Sequence, residues 1–389
     1  MLKPSPHLRR LLVTADTLGG VWTYALELAR VLHQRGIQVV LATMGGSLTA
    51  SQRVEIRNIS GLTVCESSFK LEWMEDPWSD VARAGDWLLG LEQAIQPDIV
   101  HLNSYVHAAL SWRSPILVVG HSCVLSWWTA VKREAAPPAW DHYRCLVGRG
   151  LHAADLVVAP TQAMLSVLER HYGRLRRSHV VPNGRDPALF PATDKKPFIL
   201  AVGRLWDEAK NIVMLDKVAP SLSWPIYVAG EERHPIGGRV HYRSIKPLGR
   251  LSPPTLASWL SQAAIYALPA RYEPFGLSVL EAGLAGCALV LGDIPSLREL
   301  WDGAALFIPP DDVDMLGRTL QTLSQDRSQL AWLAASAHSR ALQYSPERML
   351  RGYLAAYEGI LQARQNLGCG PSVAADQSLW LGHAPVIGG

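Results

Sequence analysis

The segment that most constrains the fold lies between residues 265 and 291. Two short apolar runs, 265–268 and 288–291, bracket a stretch in which Leu277, Leu280 and Leu284 recur at helical spacing. Strand, loop, helix and strand in that order form a parallel crossover, and a chain built on such units is an α/β protein. Pro274 fixes the backbone ahead of the helix, and Gly276 leaves no side chain where the helix opens. The unpaired N–H groups of a first helical turn form an anion site at the carboxyl end of the preceding strand. Glu273 and Glu281 flank that site. Two carboxylates repel a bare phosphate but accept hydrogen bonds from hydroxyl groups, so the pattern suits a phosphate that carries sugars at both ends. The competing reading is an ordinary amphipathic helix with two solvated carboxylates.

The same alternation fills the rest of the chain. In the first half, strands are expected at 11–14, 37–42, 99–102, 116–119, 156–159 and 179–181, with a helix over 21–34. In the second half they are expected at 198–202 and 226–229. Strands separated by helices imply parallel sheets covered on both faces. A length of 389 residues with 48% hydrophobic and 18% charged content suits two cored domains. The stretch 187–197, rich in Pro and polar residues, reads as the linker between them. A net charge of +3 and the lack of a recognisable motif exclude nucleic acid as a partner. The five cysteines (Cys65, Cys123, Cys145, Cys287, Cys369) contain no C-x-x-C pair, and neither Asp-x-Asp nor a His/Cys cluster offers metal ligands. Reduced thiols in a cytoplasmic protein and no metal site are therefore expected. The apolar run after Arg9 and Arg10 ends at Asp16, so no signal peptide is expected, and no run reaches membrane-spanning length. The loop after the first strand carries only Gly19-Gly20 and lacks G-x-G-x-x-G, which leaves a nicotinamide or flavin site unsupported.

The run Glu-Pro-Phe-Gly-Leu-Ser-Val-Leu-Glu-Ala from Glu273 to Ala282 resembles the signature of the family-four retaining glycosyltransferases of the GT-B fold. The resemblance implies two Rossmann-like, doubly wound parallel-sheet domains facing across a cleft. They would comprise an acceptor domain at 1–187, a donor domain at 188–345, a helix at 346–366 crossing back to the first domain, and a tail at 367–389. It implies that Glu273 holds the hydroxyls of the donor sugar, the backbone around Phe275, Gly276 and Leu277 holds the diphosphate, and Glu281 holds the ribose. Gly19 and Gly20, otherwise a tight strand-to-helix turn, would close over the diphosphate. His121, at the end of the 116–119 strand, matches a family histidine that contacts the donor sugar. Arg204 and Lys210 would meet the departing diphosphate, although their spacing is one residue longer than the commonest family form. Their rival reading is a salt bridge to Asp207 or Glu208. Gly230 would keep the cleft clear, and the segment of Leu248 would cradle the base. Arg185, within Asn183-Gly184-Arg185-Asp186, stands where the family carries an apolar residue, and Ala270 follows Pro269 where a serine is frequent.

The activity implied is transfer of a sugar from a nucleotide-diphosphate sugar, a UDP-sugar and UDP-glucose first, to a hydroxyl acceptor with retention of configuration. That acceptor would be a glycan or lipid-linked glycan in cell-surface polysaccharide or glycolipid synthesis. No cofactor beyond the donor substrate is expected. A nucleotide-sugar epimerase and a non-catalytic nucleotide-sugar binding protein are the rivals. Trp127 and Trp128 either stack on an acceptor or fill a groove. With Lys132, Arg133, Trp140 and Arg144, and with Arg170, Arg174, Arg176 and Arg177, they would suit peripheral contact at the inner membrane face. A solvated face is the preferred reading of these cations, since no single helix has a clean apolar stripe opposite its charges.

Overall fold

The computed structural model describes residues 8–232 and 241–366. The first sheet contains β1 (Arg10–Asp16), β2 (Gln38–Met44), β3 (Thr63–Glu66), β4 (Ile99–Leu102), β5 (Ile116–Val119), β6 (Leu156–Ala159) and β7 (Ser178–Val180). The second contains β8 (Lys196–Val202), β9 (Ile226–Ala229), β10 (Lys246–Gly249), β11 (Ala263–Leu268), β12 (Ala288–Gly292) and β13 (Leu306–Ile308). The strand orders are β3-β2-β1-β4-β5-β6-β7 and β10-β9-β8-β11-β12-β13, with every pairing parallel. Each order reverses once, between β1 and β4 in one sheet and between β8 and β11 in the other. A ligand crevice forms at such a reversal, outside the carboxyl ends of the strands.

Because helices cover both faces, the central strands are mostly apolar, with Thr14 and Asp16 in β1 and His101 in β4 among the buried exceptions. Four buried clusters result, one on each face of each sheet. The linker is more ordered than its composition suggests. A 3-10 turn occupies Pro187–Leu189, and β8 begins at Lys196, two residues earlier than expected. The segment of Leu248, to which no element was assigned from the sequence, is the edge strand β10.

The last helix among the described residues, Pro346–Asn366, crosses back to the first domain. Met349, Leu350, Tyr353, Leu354, Tyr357 and Ile360 are buried in the same cluster as Leu11, Val13 and Leu28. Its Tyr357 hydroxyl pairs with His101 Nδ1 at 2.7 Å, and His101 Nε2 pairs with the Tyr24 hydroxyl at 3.1 Å. A fully buried imidazole therefore has both nitrogens satisfied by two other elements.

Candidate active site

The donor side is built on the crossover between β11 and β12. Gly276 adopts φ +84, in the left-handed region that favours glycine, and opens the helix Leu277–Leu284. The N–H groups of Val279 and Leu280 both bond to the Gly276 carbonyl, whereas those of Leu277 and Ser278 find no acceptor among the described residues. Two donors at a helix start are thus free for an anion. The approach loop is held from three directions. Ser296 Oγ donates to the Glu273 carbonyl at 2.5 Å, the Arg271 N–H to the Ala209 carbonyl at 2.9 Å, and Thr161 Oγ1, from the first domain, to the Pro274 carbonyl at 3.0 Å. Phe275 is buried edge-to-face on Tyr344.

Glu273 and Lys210 are brought together, with Lys210 Nζ 2.5 Å from Glu273 Oε2. Arg204 is not part of that pair. Its Nη2 lies 2.7 Å from Asp207 Oδ2, so the salt bridge weighed as its alternative role exists, and its guanidinium lies over the Trp206 ring. Burial pushes the Asp207 carboxyl up, but Arg204 and Lys210 outweigh it and hold the group below the usual carboxylate range. Asp207 thereby links the two cations. Asn211 takes the left-handed conformation and donates to the carbonyls of Pro269 and Pro310, closing the loop that carries Lys210.

Gly230 sits at φ +149, and a Cβ there would fall 1.8 Å from the Gly203 carbonyl oxygen. The residue is required because the ends of β8 and β9 touch. Leu248 is half-buried against the second-domain core, beside that junction.

The first domain supplies the opposite wall. Gly19, at φ +75, caps the helix Gly20–His33, and a Cβ on Gly20 would lie 3.2 Å from Leu277 Cδ1. The glycine loop therefore abuts the start of the donor helix. His121 is half-buried, with its ring edge-to-face on Tyr24 and its Nε2 2.8 Å from Asn103 Oδ1. Since Asn103 Nδ2 donates to the Thr14 carbonyl, Oδ1 must face His121, so Nε2 carries the hydrogen. Burial holds the imidazole far below its ordinary pKa, at about 3, which makes it neutral. Nδ1 has no protein partner among the described residues and can accept a hydroxyl proton. Two residues on, the Cys123 N–H donates to the Tyr272 hydroxyl at 3.2 Å, next to Glu273.

Further contacts fasten the domains together. Trp127 Nε1–H donates to Asp207 Oδ1 at 3.2 Å, Lys132 pairs with Glu208 at 2.8 Å, and Arg133 with Asp311. Glu299 caps the helix Gln162–Tyr172 by accepting the N–H groups of Gln162 and Ala163 at 2.7 and 2.8 Å. Trp127 is thus a bridge between domains, whereas Trp128 stacks edge-on against it. Arg133, Arg144, Arg170 and His171 line a groove of about 630 Å³ in the first domain. No helix among the described residues is long and apolar enough to cross a membrane.

Sequence reasoning missed Asn103, Tyr24 and Tyr272, which orient the site without carrying a motif. It also gave Arg185 no role. Arg185 Nε donates to Glu281 Oε1 at 2.9 Å, and Nη1 to Glu27 Oε2 at 2.8 Å. The one available signal was its departure from the apolar residue of the family pattern.

The comparisons agree with this architecture. The family descriptions "Glycosyltransferase Family 4" and "Glycosyl transferases group 1" match residues 18–189 and 196–326. A D-inositol 3-phosphate glycosyltransferase of Xylanimonas cellulosilytica is 26% identical over 392 residues, covering 89% of this chain and 93% of the relative. Among solved structures, a sucrose-phosphate synthase from Thermosynechococcus elongatus superposes with a TM-score of 0.77 at 16% identity, over 91% of this chain and 100% of that one. Anabaena HepE in complex with UDP-glucose gives 0.72 at 16% identity, over 90% and 99%. With two doubly wound sheets, a Glu273–Glu281 crossover at their junction and both family matches in register with the two domains, the chain belongs to the family-four glycosyltransferases of the GT-B fold.

Proposed function

We propose that this glycosyltransferase moves a hexosyl group from a nucleotide-diphosphate sugar to a hydroxyl acceptor, with retention of configuration and without a metal ion. UDP-glucose is the donor we favour. The observation that carries the reading is the cluster of Lys210, Glu273 and the open N–H groups of Leu277 and Ser278, walled by the Gly19-Gly20 loop. In this arrangement the diphosphate lies on the helix start, and Lys210 and Arg204 balance the charge that grows as the bond from C1 to the phosphate oxygen breaks. Glu273 and neutral His121 accept hydroxyl protons of the sugar and hold it in place. The acceptor oxygen attacks C1 from the face that the diphosphate leaves, and its proton passes to the departing phosphate oxygen. Phe275, Gly276, Gly230 and Leu248 shape the site around the diphosphate and base, and Glu281 takes the ribose. The complex of HepE with UDP-glucose supports the donor assignment by analogy of fold.

A melting-temperature panel of nucleotide sugars tests the donor, since a ligand at 100 times its Kd adds about 2.7 kcal/mol. A shift with guanosine or adenosine donors and none with uridine donors refutes UDP-glucose. Product analysis by NMR tests retention, and chelator tests metal independence. Release of free sugar epimer without an acceptor would favour the isomerase reading. Binding without turnover on any acceptor would favour the non-catalytic one. For the acceptor we favour a glycan or lipid-linked glycan, and vesicle co-sedimentation tests whether the protein meets it at a membrane. Equal recovery in the supernatant with neutral and anionic vesicles would count against membrane contact.

A further inference from the structure

Arg185 sits where the chain crosses between domains, and its neighbours fix it closely. Its backbone N–H donates to the Tyr344 carbonyl at 3.1 Å, and its guanidinium lies 5.3 Å from the centre of the Phe190 ring. A Cβ on the preceding Gly184 would lie 2.4 Å from the Ser345 carbonyl oxygen, so the chain is pressed against the start of the last helix. From there the side chain spans Glu27, on the helix Gly20–His33 of the first domain, and Glu281, on the donor helix. All three side chains are nearly out of solvent, at 11% exposed or less. Arg30 gives Glu27 a second cation at 2.9 Å, whereas Arg185 is the only cation paired with Glu281 among the described residues.

We propose that Arg185 is a positioning residue for the nucleotide: it fixes one oxygen of Glu281, keeps that carboxylate ionised inside the protein, and leaves the other oxygen to the ribose. The proposal rests on the reading of Glu281 as the ribose carboxylate. Three features carry it. Arg185 Nε is bonded to Oε1, while Glu281 Oε2 has no protein partner among the described residues. A buried carboxylate without a cation protonates and then stops accepting two hydroxyl protons. The second bond, to Glu27, stops the guanidinium from turning away. The groups facing Glu281 are Arg185, Glu27 and the Tyr266 phenol of β11. Burial raises the Glu281 carboxyl above its ordinary range, Arg185 draws it only part of the way down, and Glu27 pushes it up. Loss of Arg185 therefore leaves only effects that favour the protonated form. An apolar residue at 185 would leave Glu281 without a cation and Glu27 with Arg30 alone.

The test is calorimetric binding of UDP between pH 5.5 and 8.5, together with donor KM and kcat. Arg185→Leu is expected to weaken UDP about tenfold at pH 7, the equivalent of one pKa unit. The deficit should shrink toward pH 8.5, with kcat at saturating donor within about a factor of two. Arg185→Lys should recover most of the loss. In a Glu281→Gln background, Arg185→Leu should cost nothing further. If Arg185→Leu does not fold, Glu27→Leu/Arg185→Leu leaves a single carboxylate to bury and should show the same pH-dependent deficit. UDP affinity that is unchanged or improved in these variants, or a deficit that ignores pH and persists with Glu281→Gln, overturns the proposal. A normal affinity in Glu281→Gln alone overturns the ribose reading and the proposal with it. A weak Glu281→Gln beside a normal Arg185→Leu overturns the proposal alone.

Discussion

The pair formed by Lys210 and Glu273 has to serve both stability and chemistry, and a double-mutant cycle can separate the two. The side chains are 2.5 Å apart and keep only 18% and 11% of their exposure. With charge centres about 4 Å apart and an effective dielectric near 20, their attraction is about 4 kcal/mol before desolvation is counted. Removing one partner strands the other in a poorly solvated place, at a cost of about 3 kcal/mol. Lys210→Met and Glu273→Gln are each expected to lower unfolding stability by about that amount. The Lys210 variant should be slightly worse, because Asp207 loses one of its two cations. Removing both partners strands nothing, so the double variant should fall short of the sum by about 2–3 kcal/mol. Urea unfolding at constant m-value measures this. Turnover should behave differently: with both groups on the donor, the double variant should stay as inactive as the weaker single one. Additive losses of stability would mean that the pair is not coupled, and recovered turnover would remove both residues from the chemistry.

Three other outcomes follow from the geometry. Arg204→Ala should raise the barrier to transfer by about 2–4 kcal/mol; its partner Asp207 is only 5% exposed and loses its paired cation, so stability should also fall by about 1–3 kcal/mol, and full activity would refute the role. Gly230→Ala must move the Gly203 carbonyl by more than an ångström, and should cost about 3 kcal/mol or more and abolish nucleotide binding; wild-type melting would contradict the contact. His107 is buried with its pKa lowered to about 4, so the unfolded chain takes up a proton near pH 6.5 that the folded chain refuses. Its stabilising contribution is complete above pH 6.5 and lost as pH falls. The stability gap between wild type and His107→Gln should therefore narrow by about 1.4 kcal/mol per pH unit from 6.5 toward 4, and a constant gap would refute the lowered pKa.

How much of this was legible in the sequence depended on burial. Strands β4, β5, β6 and β9 were expected with the bounds they have, because a strand covered on both faces is a mostly apolar run, broken in β4 only by His101. The edge strands β3, Thr-Val-Cys-Glu, and β10, Lys-Pro-Leu-Gly, carry mixed polarity, because one side meets no neighbour, and neither was recognised as a strand. In the site, backbone requirements were readable: Gly276, Gly19 and Gly230 all occupy positive φ. Partnerships were not. Lys210 and Glu273 are 63 positions apart, Arg185 and Glu281 96 apart, and His121 and Asn103 18 apart. Spacing along a chain says nothing about which charges meet across a cleft. For Arg185 the residue type was visible, but its two partners lie on different domains.

The last helix carries a consequence for synthesis. The first sheet is complete in sequence at Val180, yet its core also includes Met349, Tyr353, Tyr357 and Ile360. During translation at about 5–20 residues per second, the first domain must wait roughly 10–40 s after its last strand emerges before its own lid is made. Through that interval Leu28, Tyr24 and His101 face solvent or a chaperone in place of Tyr353 and Tyr357. The two halves of this enzyme are therefore not independent segments to be cut and expressed apart at the linker. A gene split at residue 190 would give a first half lacking part of its core, and a second half whose helix Pro346–Asn366 has lost the first-domain surface it packs on.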